Sequence, residues 1–124
     1  MSAHRESVRA TQIAAAAVLD KKGLNPAMLD MSELMPVIDI FLVATGTSTR
    51  HVKTLAQEIE YQLGEQMDYR PVRREGLDAA RWVLLDYGDI VIHVFDEETR
   101  AYYNLERLWA DAPLIEVEQI VQEA

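Results

Sequence analysis

Asp86 and Asp89 stand three positions apart in the stretch DYGD. Carboxylates are the residues that hold the metal ions of nucleotidyl transfer, but the two-metal mechanism needs them to converge on ions about 4 Å apart. Asp86 points from the end of an apolar run and Asp89 sits in a Gly-Asp turn, so convergence is not dictated by the spacing. The stretch GTSTRHV (46–52) offers a second kind of chemistry, because a glycine corner at a helix N-terminus presents free N–H groups to a phosphate. It lacks the Gly-x4-Gly-Lys pattern of a phosphate-binding loop and has a single glycine, so it reads as a plain capped turn ahead of a phosphate cradle. An enzymatic reading would use Gly46, Ser48, Asp86 and Asp89. The histidines, His4, His51 and His93, include no pair at metal-ligand spacing, and no Ser/His/Asp triad follows from one sequence. With no cysteine, thiolate metal sites, cysteine nucleophiles and disulfides are excluded. The expectation is a protein without catalytic, cofactor-binding or metal residues.

The elements that would position these groups follow from hydrophobic periodicity. Residues 6–22 read as a helix with Ala10, Ile13, Ala14 and Ala17 on one face and Gly23 ending the run. NPAMLDM (25–31) predicts a short strand, and VIDIFLVATG (37–46), apolar nearly throughout, predicts a central one. Thr47 or Ser48 caps the next helix, about residues 49–65, where Val52, Leu55, Ala56, Ile59 and Leu63 form the buried stripe. YRPVRRE (69–75) predicts an edge strand, since Pro71 cannot donate to a ladder and its arginines stay wet. DEETRAYYNLERLW (96–109) predicts a helix with acids at its N-terminus and Ala101, Leu105 and Leu108 inside. IEVEQIVQEA (115–124) is either a short acidic helix or a tail. The order is αββαβββα, an α/β (α+β) domain with a mixed sheet of about five strands and flanking helices.

WVLLDYGDIVIHVFD (82–96) predicts a hairpin turning at Gly88-Asp89, with Tyr87 opposite Ile90. One face then carries Val83, Leu85, Tyr87, Ile90, Ile92 and Val94. The other carries Trp82, Leu84, Asp86, Val91, His93 and Phe95, and it too is largely apolar. A half-exposed hairpin has one polar face. Three helices are few for two faces of such a sheet, so part of one face is expected to be free for a partner. Aromatics beside an acid suit a protein interface, and an uncovered apolar face favours a homodimer when no other partner is present. Trp82, Leu84, Val91 and His93 are the residues that such a dimer would use.

Charge points to the nature of the partner. Residues 85–124 hold ten acids and two bases, a net of −8 out of −9 for the whole chain. Such a surface repels phosphate backbones and favours a basic partner, so no direct, specific nucleic-acid binding is expected. There is no apolar run of membrane-spanning length and no signal sequence, which predicts a cytoplasmic protein.

Several separated motifs occur together in a defined order: Thr45-Gly46-Thr47-Ser48, Glu75-Gly76, Trp82, Asp86-x-Gly88-Asp89, His93 and Leu105-Glu106-x-Leu108-Trp109. In these motifs the chain resembles the ribosomal silencing factor family, also called Iojap or RsfS, over roughly residues 8–109. The resemblance implies a nucleotidyltransferase-like domain over residues 1–109, without transferase activity, followed by an acidic tail or short helix over 110–124. It implies binding to the large ribosomal subunit through ribosomal protein L-fourteen, blockage of subunit joining, and repression of translation under nutrient limitation. In organelles it implies large-subunit assembly, and for the free protein a homodimer. The implied contact residues are Trp82, Leu84, Asp86 and Tyr87.

Overall fold

Two helices, six strands and a pair of short C-terminal helices make up the computed structural model, which describes residues 3–118. Helix α1 (Arg5–Asp20) and helix α2 (Thr49–Met67) lie side by side on one face of a mixed sheet. The strands are β1 (Leu24–Asp30), β2 (Ile40–Gly46), β3 (Arg73–Glu75), β4 (Trp82–Asp86), β5 (Ile90–Asp96) and β6 (Leu114–Ile115), in the spatial order β3-β4-β5-β2-β1-β6. Only β2 and β5 pair in parallel. Every residue of β2 is buried, as its continuous apolar run requires of a strand covered on both faces.

The hairpin has the expected register. Leu84 pairs with His93, Leu85 with Ile92 and Asp86 with Val91, and Tyr87 N–H donates to the Ile90 carbonyl over 2.9 Å. Gly88 supplies the left-handed residue of the turn at φ +94°. Strand β3 is the edge that Pro71 and the arginines predict, although it is only three residues long. Gly76, just after it, has φ +84°, and a Cβ there would run into the Trp82 carbonyl oxygen. The Glu75-Gly76 pair is thus where the chain passes close against the start of β4.

Two expectations need correction. The helix predicted over 96–109 is two short ones, α3 (Glu97–Tyr103) and α4 (Leu105–Leu108), separated by Asn104 at φ 45°, ψ 63°. Asn tolerates this left-handed conformation, and its side chain accepts from Arg107 N–H to start α4. Replacing Asn104 with alanine loses both the tolerance and the cap, so urea denaturation should show about 1 to 2 kcal/mol of destabilisation. Asn104→Gly should cost much less. The second correction concerns the C-terminal segment. Leu114 and Ile115 pair with Leu29 and Met28 as a sixth strand, and Ala112 is buried. Gln12 on α1 then holds the chain beyond it, bonding the Glu116 carbonyl over 2.8 Å and the Glu118 N–H over 2.9 Å. The rest of the predicted acidic helix or tail, 119–124, lies outside the described residues. Among those described, no helix is long and apolar enough to cross a membrane.

Candidate interaction surface

The second sheet face is built on Phe41 and Val43 from β2 and on Val91, His93 and Phe95 from β5. Leu29 and Met31 extend it at one side. Leu105 of α4, Ala112 and the segment around Met35 and Ile38 pack against it, so its centre is closed by the chain itself. Arg100 fastens this cover: its guanidinium donates to the Asn25 carbonyl over 2.6 Å, to Thr45 Oγ1 over 2.8 Å and to Glu106 over 3.0 Å. Arg100 does not stand out in the sequence, and of the residues predicted to face inward, Ala101, Leu105 and Leu108, only Leu105 is buried.

The cover stops short of β4. Along this strand Val83 and Leu85 are buried against the α1/α2 side, whereas Trp82, Leu84 and Asp86 are half-buried and face the other way. Trp82 is held among rings, with centroids 4.9 Å from Phe95 and 4.7 Å from Tyr103. Its indole N–H donates to His93 Nδ1 over 3.0 Å. Beside it, Tyr102 is 81% exposed and Tyr103 is 49% exposed. An open groove of about 430 Å³ runs between Gly76, Arg81, Trp82, Glu98, Tyr102 and Tyr103. These tyrosines were not marked by the hydrophobic stripe because they lie on the outer side of α3, where adjacent exposed aromatics are themselves the signal of a contact surface.

The predicted contact residues therefore divide. Trp82, Leu84 and Asp86 come together on one half-open strip. Tyr87 does not join them: it is 4% exposed on the opposite face, with its ring 4.8 Å from that of Tyr69. Strand alternation turns its side chain toward the core under α1 and α2, and burial pushes its phenol pKa well up. Val91 and His93, expected on a dimer surface with Trp82 and Leu84, are 7% and 5% exposed and lie beneath the strip. Burial among aromatics pushes His93 down to a pKa of about 4, leaving it neutral.

The residues of the enzymatic reading are not brought together. Asp86 Oδ1 accepts Gly88 N–H over 2.8 Å, and Oδ2 faces Arg73 at 3.4 Å. Asp89 turns toward the other side, accepting from Tyr69 Oη and from Ser7 Oγ. At the glycine corner, Ser48 Oγ accepts His51 N–H over 3.0 Å, and His51 Nδ1 accepts Thr47 N–H over 2.9 Å. His51 Nε2 is then the protonated nitrogen and donates to the Lys21 carbonyl over 2.8 Å. Side chains of the protein itself thus occupy donors that a phosphate would need. Among the described residues, no group of three or more His, Cys, Asp or Glu could hold a metal ion.

Acidic groups surround the strip on the α3 side. Glu97 and Glu98 are exposed, and Asp96 caps α3 by accepting Thr99 N–H over 2.8 Å. Burial acts to raise the Asp96 pKa, but the Thr99 hydrogen bonds and the Arg81 guanidinium outweigh it and hold the carboxyl below its ordinary value. The arrangement joins an aromatic side chain, an aliphatic neighbour and a rim of carboxylates, a combination that suits a protein contact.

The family model described as ribosomal silencing factor during starvation matches residues 4–124. Ribosomal silencing factor RsfS of Bacillus subtilis is 46% identical over 107 residues, which cover 86% of this chain and 90% of that protein. The mouse mitochondrial assembly of ribosomal large subunit protein 1 is 37% identical over 78 residues, 60% of this chain and 34% of that one. A crystal structure of a Chromobacterium violaceum protein superposes with a TM-score of 0.79 at 34% identity, covering 93% of this chain and 95% of that one. The match spans every element from α1 to β6, and the chain belongs to the ribosomal silencing factor family.

Proposed function

We propose that the protein binds the large ribosomal subunit through ribosomal protein L-fourteen and, by occupying the surface on which the small subunit docks, represses translation under nutrient limitation. The observation that carries this reading is the strip of Trp82, Leu84 and Asp86, half-open on β4 beside the acidic N-terminus of α3. A few anchors, tryptophan prominent among them, supply most of the energy of a protein interface. A carboxylate rim speeds encounter with a basic partner and repels bare phosphate backbone. Tyr87 is left out of the contact because it is buried on the far face. The free protein pairs as a homodimer through the Trp82 and Leu84 surface, in competition with the ribosome.

Sedimentation of the tagged protein with purified ribosomal particles tests the reading. It should travel with free large subunits and be absent from joined ribosomes. Equal occupancy of both would reject steric exclusion. The same preparation should show no magnesium-dependent nucleotidyl transfer; a transfer lost in both Asp86→Asn and Asp89→Asn would make the protein an enzyme instead. The mouse relative's name supports a second reading, in which the same contact serves large-subunit assembly. Accumulation of large-subunit precursors in cells lacking the protein would select it.

A further inference from the structure

Resting on that reading of the β4 strip, we propose that His93 is the positioning residue that sets the indole of Trp82 for contact, and that it does so by taking up the indole N–H so that the ring meets its partner only through apolar contact. The two residues are diagonal neighbours across the β4–β5 pair: Trp82 pairs with Phe95 and Leu84 with His93. The 3.0 Å bond from indole Nε1 to His93 Nδ1 fixes the imidazole tautomer with its proton on Nε2. That Nε2 is buried and has no hydrogen-bond partner among the described residues. A buried N–H with no acceptor is costly, so the ring's arrangement satisfies the tryptophan at the expense of the histidine. Phe41, whose centroid is 4.8 Å from the imidazole, and Phe95 close the remaining sides.

The bond also decides what the surface can recognise. Elsewhere a half-exposed tryptophan uses its N–H to capture a carbonyl or carboxylate of its partner. Here that donor is already used inside the protein. Discrimination at this point therefore rests on shape and apolar area, and the polar part of recognition is left to Asp86 and the α3 carboxylates. Tyr103 and Phe95 pack against the indole, but neither offers an acceptor ring nitrogen.

The first measurement is made on the wild-type protein alone. With nitrogen-15 labelling, the Trp82 indole proton should exchange slowly, and a scalar coupling should run from Nε1 to His93 Nδ1. A fast-exchanging indole proton with no such coupling would overturn the proposal directly. The second compares variants bound to purified large ribosomal subunits. His93→Phe keeps an aromatic ring without an acceptor and should bind about tenfold to hundredfold more weakly. His93→Asn can place an amide oxygen near the Nδ1 position and should recover most of the affinity. Trp82→Phe has no donor to position, so adding His93→Phe to it should cost little more. His93→Phe binding like wild type, or His93→Asn failing as badly as His93→Phe, would overturn the positioning role. If instead Trp82→Ala binds large subunits like wild type, the reading of the strip as the contact is what fails, and the coupling measurement still decides the role of His93.

Discussion

Trp82→Ala should weaken binding to the large ribosomal subunit by roughly 30-fold to 1000-fold, the loss of an anchor worth about 2 to 4 kcal/mol. The structure adds a stability cost, because the truncation removes the ring packed between Phe95 and Tyr103 and leaves His93 Nδ1 buried without its donor. An unsatisfied buried acceptor costs about 1 to 3 kcal/mol, so the variant should also melt below wild type. The two effects separate by titrating the folded variant well below its melting temperature. Asp86→Ala is the polar counterpart. Its carboxylate is engaged with Gly88 N–H and Arg73 yet retains 23% side-chain exposure, so its contribution to a basic partner should be visible at low salt and fade at high salt. The Trp82 effect should change little with salt. A Trp82→Ala protein that melts far lower but binds normally while folded would mean that the second sheet face is covered entirely from within.

Acidification should destabilise the wild type by roughly 3 kcal/mol more than it destabilises His93→Asn. In the folded protein His93 has a pKa of about 4, against 6.5 for an unperturbed histidine, and the cause is burial. Between those values the unfolded chain takes up a proton that the folded chain refuses, so stability falls as pH drops. The contribution is complete above the unfolded value, is lost progressively from pH 6.5 down to about 4, and changes no further below it. Urea denaturation of both proteins across this window gives the difference directly and cancels the titration of groups they share. Parallel curves would show that the imidazole titrates as a solvent-exposed one does.

The parts of this fold that were legible in the sequence are those where one local pattern has one solution. Gly88-Asp89 between two apolar runs sets the hairpin register, and the Val52-to-Leu63 stripe sets the buried face of α2. From that register the Trp82–His93 diagonal could itself have been read. The rest depends on partners distant in sequence. Strand β6 is two residues long, and β1 rather than its own periodicity makes it a strand. Asn104 interrupts a helical pattern without disturbing its spacing, because a single left-handed residue leaves the composition unchanged. The same limit applies to the contact strip. Trp82, Leu84 and Asp86 share a face by strand alternation alone, but which part of that face stays open is decided by where α4 and the Met35–Ile38 segment come to rest.

The pairing of first and last strands has a consequence for how the protein is made. Met28 meets Ile115 across β1 and β6, and Ile40 meets Ile90 across the central parallel pair. A ribosome delivers the N-terminal partners long before the C-terminal ones, so neither ladder can form on a chain that is still short. Sheets joined over such sequence distances fold slowly compared with helical bundles. Until α4 emerges, Phe41, Val43 and Phe95 are bare, and until β6 follows it, β1 is an open edge. Open edges and bare apolar faces are what nascent chains use to aggregate with one another. Chains stopped before Leu114 should therefore accumulate in the insoluble fraction even though both long helices and the hairpin are complete, which makes the shortest strand the one that renders synthesis safe.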